Sequence, residues 1–182
     1  MPFAPTPANL RPINRPLRIE FPGGSYHVTS RCDQSEPNFK DHSDRAALLG
    51  VLEEGMQRFD AQVLDYCLMG NQDPFVLHTL HANLWRLMRR LNGVVTQAFN
   101  RRHRKVGHLF QGRFKAILLD RDAYLLEVGR YVELNPVARP RMVSAPMEWP
   151  WSSTARPWAR LKPPASPGKW LTASGLFATL PP

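Results

Sequence analysis

The chain has very little cysteine: Cys32 and Cys67 are the only two, and they are not in C-x-x-C spacing. Two thiols exclude a secreted disulfide scaffold and lead to the expectation of reduced thiols in a cytoplasmic protein. Long hydrophobic runs are missing too. No apolar stretch approaches the ~20 residues of a membrane span. The opening MPFAPTPANLRPINRP has no continuous apolar core of the kind a secretory signal carries. No membrane partner is expected, and no internal repeat is present. The most informative absence is local: between Arg86 and Lys115 there is no acidic residue.

What is present is a 182-residue chain, 43% hydrophobic, with 24 Lys+Arg against 15 Asp+Glu and a net charge of +9. That length fits one domain with tails, and the surplus of positive charge suits phosphates. Residues 1–16 are proline-rich and aperiodic, hence an extended arm, and 156–182 read as a proline-rich tail; the domain proper is expected over 17–155. Within it, alternation predicts a strand at 26–31, with Tyr26, Val28 and Ser30 on one face. Helical spacing of Leu48, Leu49, Leu52, Met56 and Phe59 predicts a helix over 44–59, capped by Asp41 or Ser43. The near-continuous apolar run 61–69, interrupted by Asp65, reads as a strand buried on both faces, and 75–79 as a shorter one.

A second helix is expected over 82–102 and a fourth strand over 114–119. A further helix opens at Asp120 or Asp122, carries Tyr131, and is expected to end at Asn135-Pro136, because proline disfavours a helical residue before it. The order β-α-β-β-α-β is the split βαβ, ferredoxin-like arrangement. The fold class is therefore α+β: an antiparallel sheet, helices on one face, and an additional tyrosine-bearing helix.

The acid-free stretch carries Arg86, Arg89, Arg90, Arg101, Arg102, Arg104, Lys105, Arg113 and Lys115, with Phe99, Phe110 and Phe114 interleaved. Cations neutralise phosphates, and exposed aromatic rings stack on unpaired bases. The competing reading makes the phenylalanines core residues and the arginines a solvated helix face. Downstream, Tyr131 and Asn135 lie four residues apart and share one helix face with Tyr124 and Val128. From spacing alone, such a tyrosine is as well explained by a core position.

The segments RIEFPGGSYHVTSR (18–31), FNRRH (99–103), GHLFQGRFK (107–115), RDAYLLEVGRYVELNPV (121–137) and PWSS (150–153) resemble the REP-associated tyrosine transposases, of the single-tyrosine, HUH class. The resemblance runs in order through most of 17–155. It implies a ferredoxin-like domain that recognises hairpins of single-stranded DNA, including palindromic repeat elements. It also implies a tyrosine, here Tyr131, that attacks a phosphodiester to give a 5′-phosphotyrosine link and a free 3′-OH. Asn135 matches an asparagine that helps hold the metal ion. Related transposases can act as dimers, so a homodimer is an open assembly state.

The resemblance breaks at the metal pair. The family reads Met-Pro-Asn-His-x-His at a strand start, whereas here Met69-Gly70-Asn71-Gln72-Asp73-Pro74 places Gln72 and Pro74 at both histidine positions. Proline offers no side-chain ligand atom, and an amide oxygen is a weak substitute for an imidazole. Asn135 alone is a poor metal site, and Asp73 or His78 would have to rebuild it. The leading expectation is a protein that binds single-stranded or hairpin DNA, with no cofactor and with nicking lost or much reduced. The alternative is an active transposase using Mg or Mn at a rebuilt site. A basic RNA- or acidic-surface-binding protein of the same fold is the third.

Overall fold

In the computed structural model, residues 20–31, 39–70, 72–119, 124–138 and 142–155 are described. The expected arm at 1–16 and tail at 156–182 lie outside them. Strand β1 (Gly24–Arg31) leads to helix α1 (His42–Phe59), then to β2 (Ala61–Tyr66), β3 (Gln72–Thr79), helix α2 (Leu84–His103), β4 (Lys115–Leu119) and helix α3 (Tyr124–Ala138). The sheet order is β2-β3-β1-β4, with every pair antiparallel. This is the α+β, split βαβ architecture expected from the element order.

Alternation along the strands divides the molecule into layers. Tyr26 and Val28 of β1 and Phe75 and Leu77 of β3 face α1 and α2, joining Leu48, Leu52, Leu87, Met88 and Leu91 in the main core. The opposite face is covered by α3, where Leu64, Cys67, Val76, Leu119, Val128 and Val132 form a smaller cluster. A bulge between Val63 and Asp65 shifts the register of β2, and Leu64 and Asp65 both face the α3 layer, while Val63 and Tyr66 face the main core.

Asp41 caps α1: its carboxylate accepts the N–H groups of Ser43 and Asp44. Two boundaries differ from expectation because proline was read as a break. β3 begins at Gln72 and includes Pro74, whose carbonyl accepts the Cys67 N–H at 3.1 Å. Helix α3 does not stop at Asn135 but runs through Pro136 to Ala138. Pro136 removes a single donor, one turn from the helix end, and both Asn135 and Pro136 are buried, so packing offsets the local cost.

The segment after α3 is built into the fold. Trp151 sits in the main core and its indole N–H donates to His42 Nδ1 at 3.1 Å. Trp149 donates to the Leu68 carbonyl at 3.2 Å, and Ser152 bridges Cys67 beside β2.

Candidate nucleic-acid interface

On the α3 face, cross-strand pairing makes two adjacent rows. Ile117, His27 and Val76 form one, and Lys115, Thr29 and Pro74 form the next, with Gln72 opposite Arg31 at the strand ends. Rows of this kind lie ~7 Å apart, two residues along each strand. Tyr131 is 51% exposed, so it is not the core residue that spacing alone allowed. Its ring meets His27 edge-on, with centroids 6.0 Å apart and planes at 82°. The Nε2 atom of His27 is buried with no hydrogen-bond partner, and burial holds its pKa below the usual histidine value. His27 was missed as a site residue, although the alternation of β1 already set it opposite Tyr26 and Val28.

Gln72 and Pro74 fall on this face, opposite Arg31 and Thr29, but the side chains there do not fit a divalent cation. Gln72 and Asn135 offer amide oxygens and Pro74 nothing. Asp73 is fully buried and its carboxylate accepts the Met69 N–H at 3.1 Å. It alternates to the opposite face from Gln72 and Pro74. His78 shares their parity but lies at the far end of β3, its Nδ1 3.1 Å from the Ser25 hydroxyl. Among the described residues no group of three or more His, Cys, Asp or Glu side chains is suited to a metal ion.

The cations separate into three environments. Arg101, Arg104, Arg113 and Lys115 are exposed and have no ion pair among the described residues, and Lys105 is half-buried beside them. Lys115 opens β4 opposite Thr29, Arg113 lies in the loop before it, which the Gln111 N–H ties to the Arg31 carbonyl at 2.8 Å, and Arg101, Arg104 and Lys105 stand at the end of α2 where that loop starts. Arg102 is different. Its guanidinium holds Asp41 at 2.5 Å and Asp44 at 2.6 Å, with His103 2.9 Å from Asp44. The Arg102 hydrogen bonds hold Asp41 at about 2. Burial pushes Asp44 up, but the bonds from His103, the Lys40 N–H and Arg102 outweigh it and leave the group low. Arg102 thus joins the end of α2 to the start of α1. Arg86, Arg89 and Arg90 lie elsewhere again, along a groove beside α2 on the helix side of the sheet.

Phe99, Phe110 and Phe114 are all buried; they are core side chains, which corrects the reading of them as base-stacking platforms. Beneath α3, Asp65 accepts the Tyr66 N–H at 2.7 Å and the Ser153 hydroxyl. Burial raises it to about 8, with the neighbouring Glu133 adding to the effect. Burial raises Glu133 as well, against a bond from Thr154.

The architecture is that of a ferredoxin-like domain with a third helix on the open face of its sheet. No protein-family model and no curated protein matches the chain. Among solved structures it is similar to a REP-associated tyrosine transposase bound to a REP hairpin: TM-score 0.69, 16% identity, covering 86% of this chain and 93% of that one. At that identity the likeness establishes the shared fold.

Proposed function

We propose that this protein binds single-stranded or hairpin DNA across the sheet end beside Tyr131, and that tyrosine-mediated nicking is lost or much reduced. The observation that carries the reading is the set of exposed cations without internal ion pairs, Arg101, Arg104, Arg113 and Lys115, at the end of α2 and in the loop that leads into β4. The fold they stand on is similar to that of a transposase bound to a REP hairpin. Phosphates dominate such binding and require unpaired cations rather than internal ion pairs.

Cleavage has different requirements. A tyrosine hydroxyl is a weak nucleophile at its ordinary pKa near 10 and needs a base or a metal-polarised phosphate. The residues at the family's metal positions supply neither. A loss of several kcal/mol of transition-state stabilisation corresponds to a rate at least about a thousandfold lower.

The test is incubation with a 3′-labelled hairpin and Mg²⁺ or Mn²⁺, followed by a denaturing gel. Retarded hairpin in a native gel without a covalent adduct is the expected result. A robust adduct that vanishes in Tyr131→Phe overturns the loss of nicking and restores the active-transposase alternative. Equal binding of RNA and DNA hairpins at matched salt overturns DNA as the partner.

A further inference from the structure

The two ends of α2 carry different sets of cations. Arg101 and Arg104 stand at its end. Arg86, Arg89 and Arg90 stand at its start, where with Arg58 from the end of α1 they line an open groove on the helix side of the sheet. Arg86 and Arg101 are roughly 22 Å apart along the helix axis. Arg58, Arg86 and Arg89 are exposed and have no ion pair among the described residues. The acids nearby are already engaged: Glu54 meets Arg90 at 3.5 Å, Asp60 meets His81 at 3.5 Å, and Glu20 accepts the Trp85 N–H at 2.6 Å.

This concentration of charge is unfavourable where it stands. A helix start is the positive end of the backbone dipole and favours anions. The first turn of α2 holds Arg86 and no acid, and Asn83 at the N-cap makes no side-chain capping bond. Residues 1–19 and 149–182 contain no acidic side chain, so neither terminal segment supplies the missing carboxylates. The groove is not purely ionic, either. Trp85 is 42% exposed with the Arg89 guanidinium 5.2 Å from its ring centroid, and the half-buried Phe59 and Val94 join the lining.

We infer that this groove docks an acidic segment of a partner protein, its carboxylates on Arg58, Arg86 and Arg89 and an apolar side chain against Trp85. All four cations are arginines, whose planar forks hold carboxylates through two hydrogen bonds at once. Arginine and tryptophan beside apolar side chains are the composition of protein–protein contact centres, from which lysine is depleted. A second copy of this chain, at +9, is repelled rather than attracted. The inference goes beyond the DNA-binding reading and does not depend on it. The cations given to DNA lie at the other end of α2, so the two partners can be held together.

The experiment measures fluorescence anisotropy of a short labelled peptide of glutamates around a central phenylalanine, at physiological ionic strength. The unmodified protein should bind it, and the double variant Arg86→Glu/Arg89→Glu should bind it about tenfold or more weakly. The same variant should keep its hairpin affinity and melt at an equal or higher temperature, because the first turn of α2 gains an anion. The matched double change at the other end, Arg101→Glu/Arg104→Glu, should leave peptide affinity within about twofold. Replacing the peptide's phenylalanine by glutamine should weaken binding to the unmodified protein but not to Trp85→Ala. A peptide that does not bind overturns the assignment, as does binding that both double variants weaken equally, which is general attraction to a basic chain. A lower melting temperature in Arg86→Glu/Arg89→Glu overturns it too, making the arginines structural. An oligothymidine of the same charge that binds more tightly than the peptide, and is lost in that variant, reassigns the groove to nucleic acid. Peptide binding by a protein that retains no hairpin supports the groove assignment while the DNA reading falls.

Discussion

Asp65 is a carboxyl group held where a carboxylate is costly. The Glu133 carboxyl on α3 and the Cys67 thiol beside β2 face it, with the Ser153 hydroxyl as its hydrogen-bond donor. Its folded value of about 8 lies above the ordinary value of 3.8, so the folded state binds the extra proton between those limits. By linkage, this group's contribution to stability is greatest below about pH 4, declines as pH rises through that window, and is flat above it. Asp65→Asn keeps the acceptor oxygen and removes the ionisable proton. It should raise stability at pH 8 by about 1–2 kcal/mol and leave it little changed at pH 4. Urea unfolding at both pH values checks this; a loss of stability at pH 8 would mean that the carboxylate itself is the favoured form. The sequence showed Asp65 as an interruption in an apolar strand. It did not show the bulge that turns the side chain under α3.

At the scale of elements, the two glycines Gly55 and Gly129 have opposite roles. A Cβ at Gly55 would approach the Leu87 Cδ1 to 2.8 Å, whereas one at Gly129 meets the Asp65 Oδ2 at an ordinary 3.6 Å. Gly55→Ala gains about 1 kcal/mol of helix propensity but must displace the buried Leu87 methyl at a cost of about 1–3 kcal/mol, a net loss of about 1 kcal/mol, whereas Gly129→Ala should stabilise α3 by about 0.5–1 kcal/mol through helix propensity. Thermal melts of the pair should shift in opposite directions. Helices α1 and α2 were legible because their apolar side chains repeat with the helical period, and the Asp41 cap followed from residue type. The start of β3 and the end of α3 were not legible. Pro74 and Pro136 act locally as breaks, and only burial against the rest of the chain overrides them. The packing of Trp149, Trp151 and Ser153 beside β2 joins residues more than 80 positions apart, beyond the reach of any local pattern.

Across the whole molecule, one basic stretch of sequence is distributed over three surfaces. The net charge was legible, but its division was not. Helix geometry carries Arg86, Arg89 and Arg90 outward from the helix layer, the Asp41–Asp44 pair captures Arg102, and the loop into β4 brings Lys115 opposite Thr29 at the end of β1, with Arg113 just before it. Salt dependence should report this division. With about five phosphates neutralised, log K should fall against log salt with a slope near −3.5 on single strands. Lys115→Ala and Arg113→Ala should each reduce that slope by about 0.7 without lowering the melting temperature. Arg102→Ala should do the reverse: a slope unchanged and a lower melting temperature, because it breaks the link between the end of α2 and the start of α1. Titration at several salt concentrations alongside thermal melts separates the two behaviours.

The small size of the cluster under α3 has a kinetic consequence. Six buried side chains hold that helix to the sheet, while the main core lies wholly on the other side. Lifting α3 therefore exposes much less apolar surface than global unfolding, and it defines a separate opening unit of low free energy. Tyr131 rides on that unit. Among the described elements, α3 is therefore expected to lift from the sheet at a lower free energy than the main core opens, and amide exchange faster in α3 than in α1 and α2 would show it.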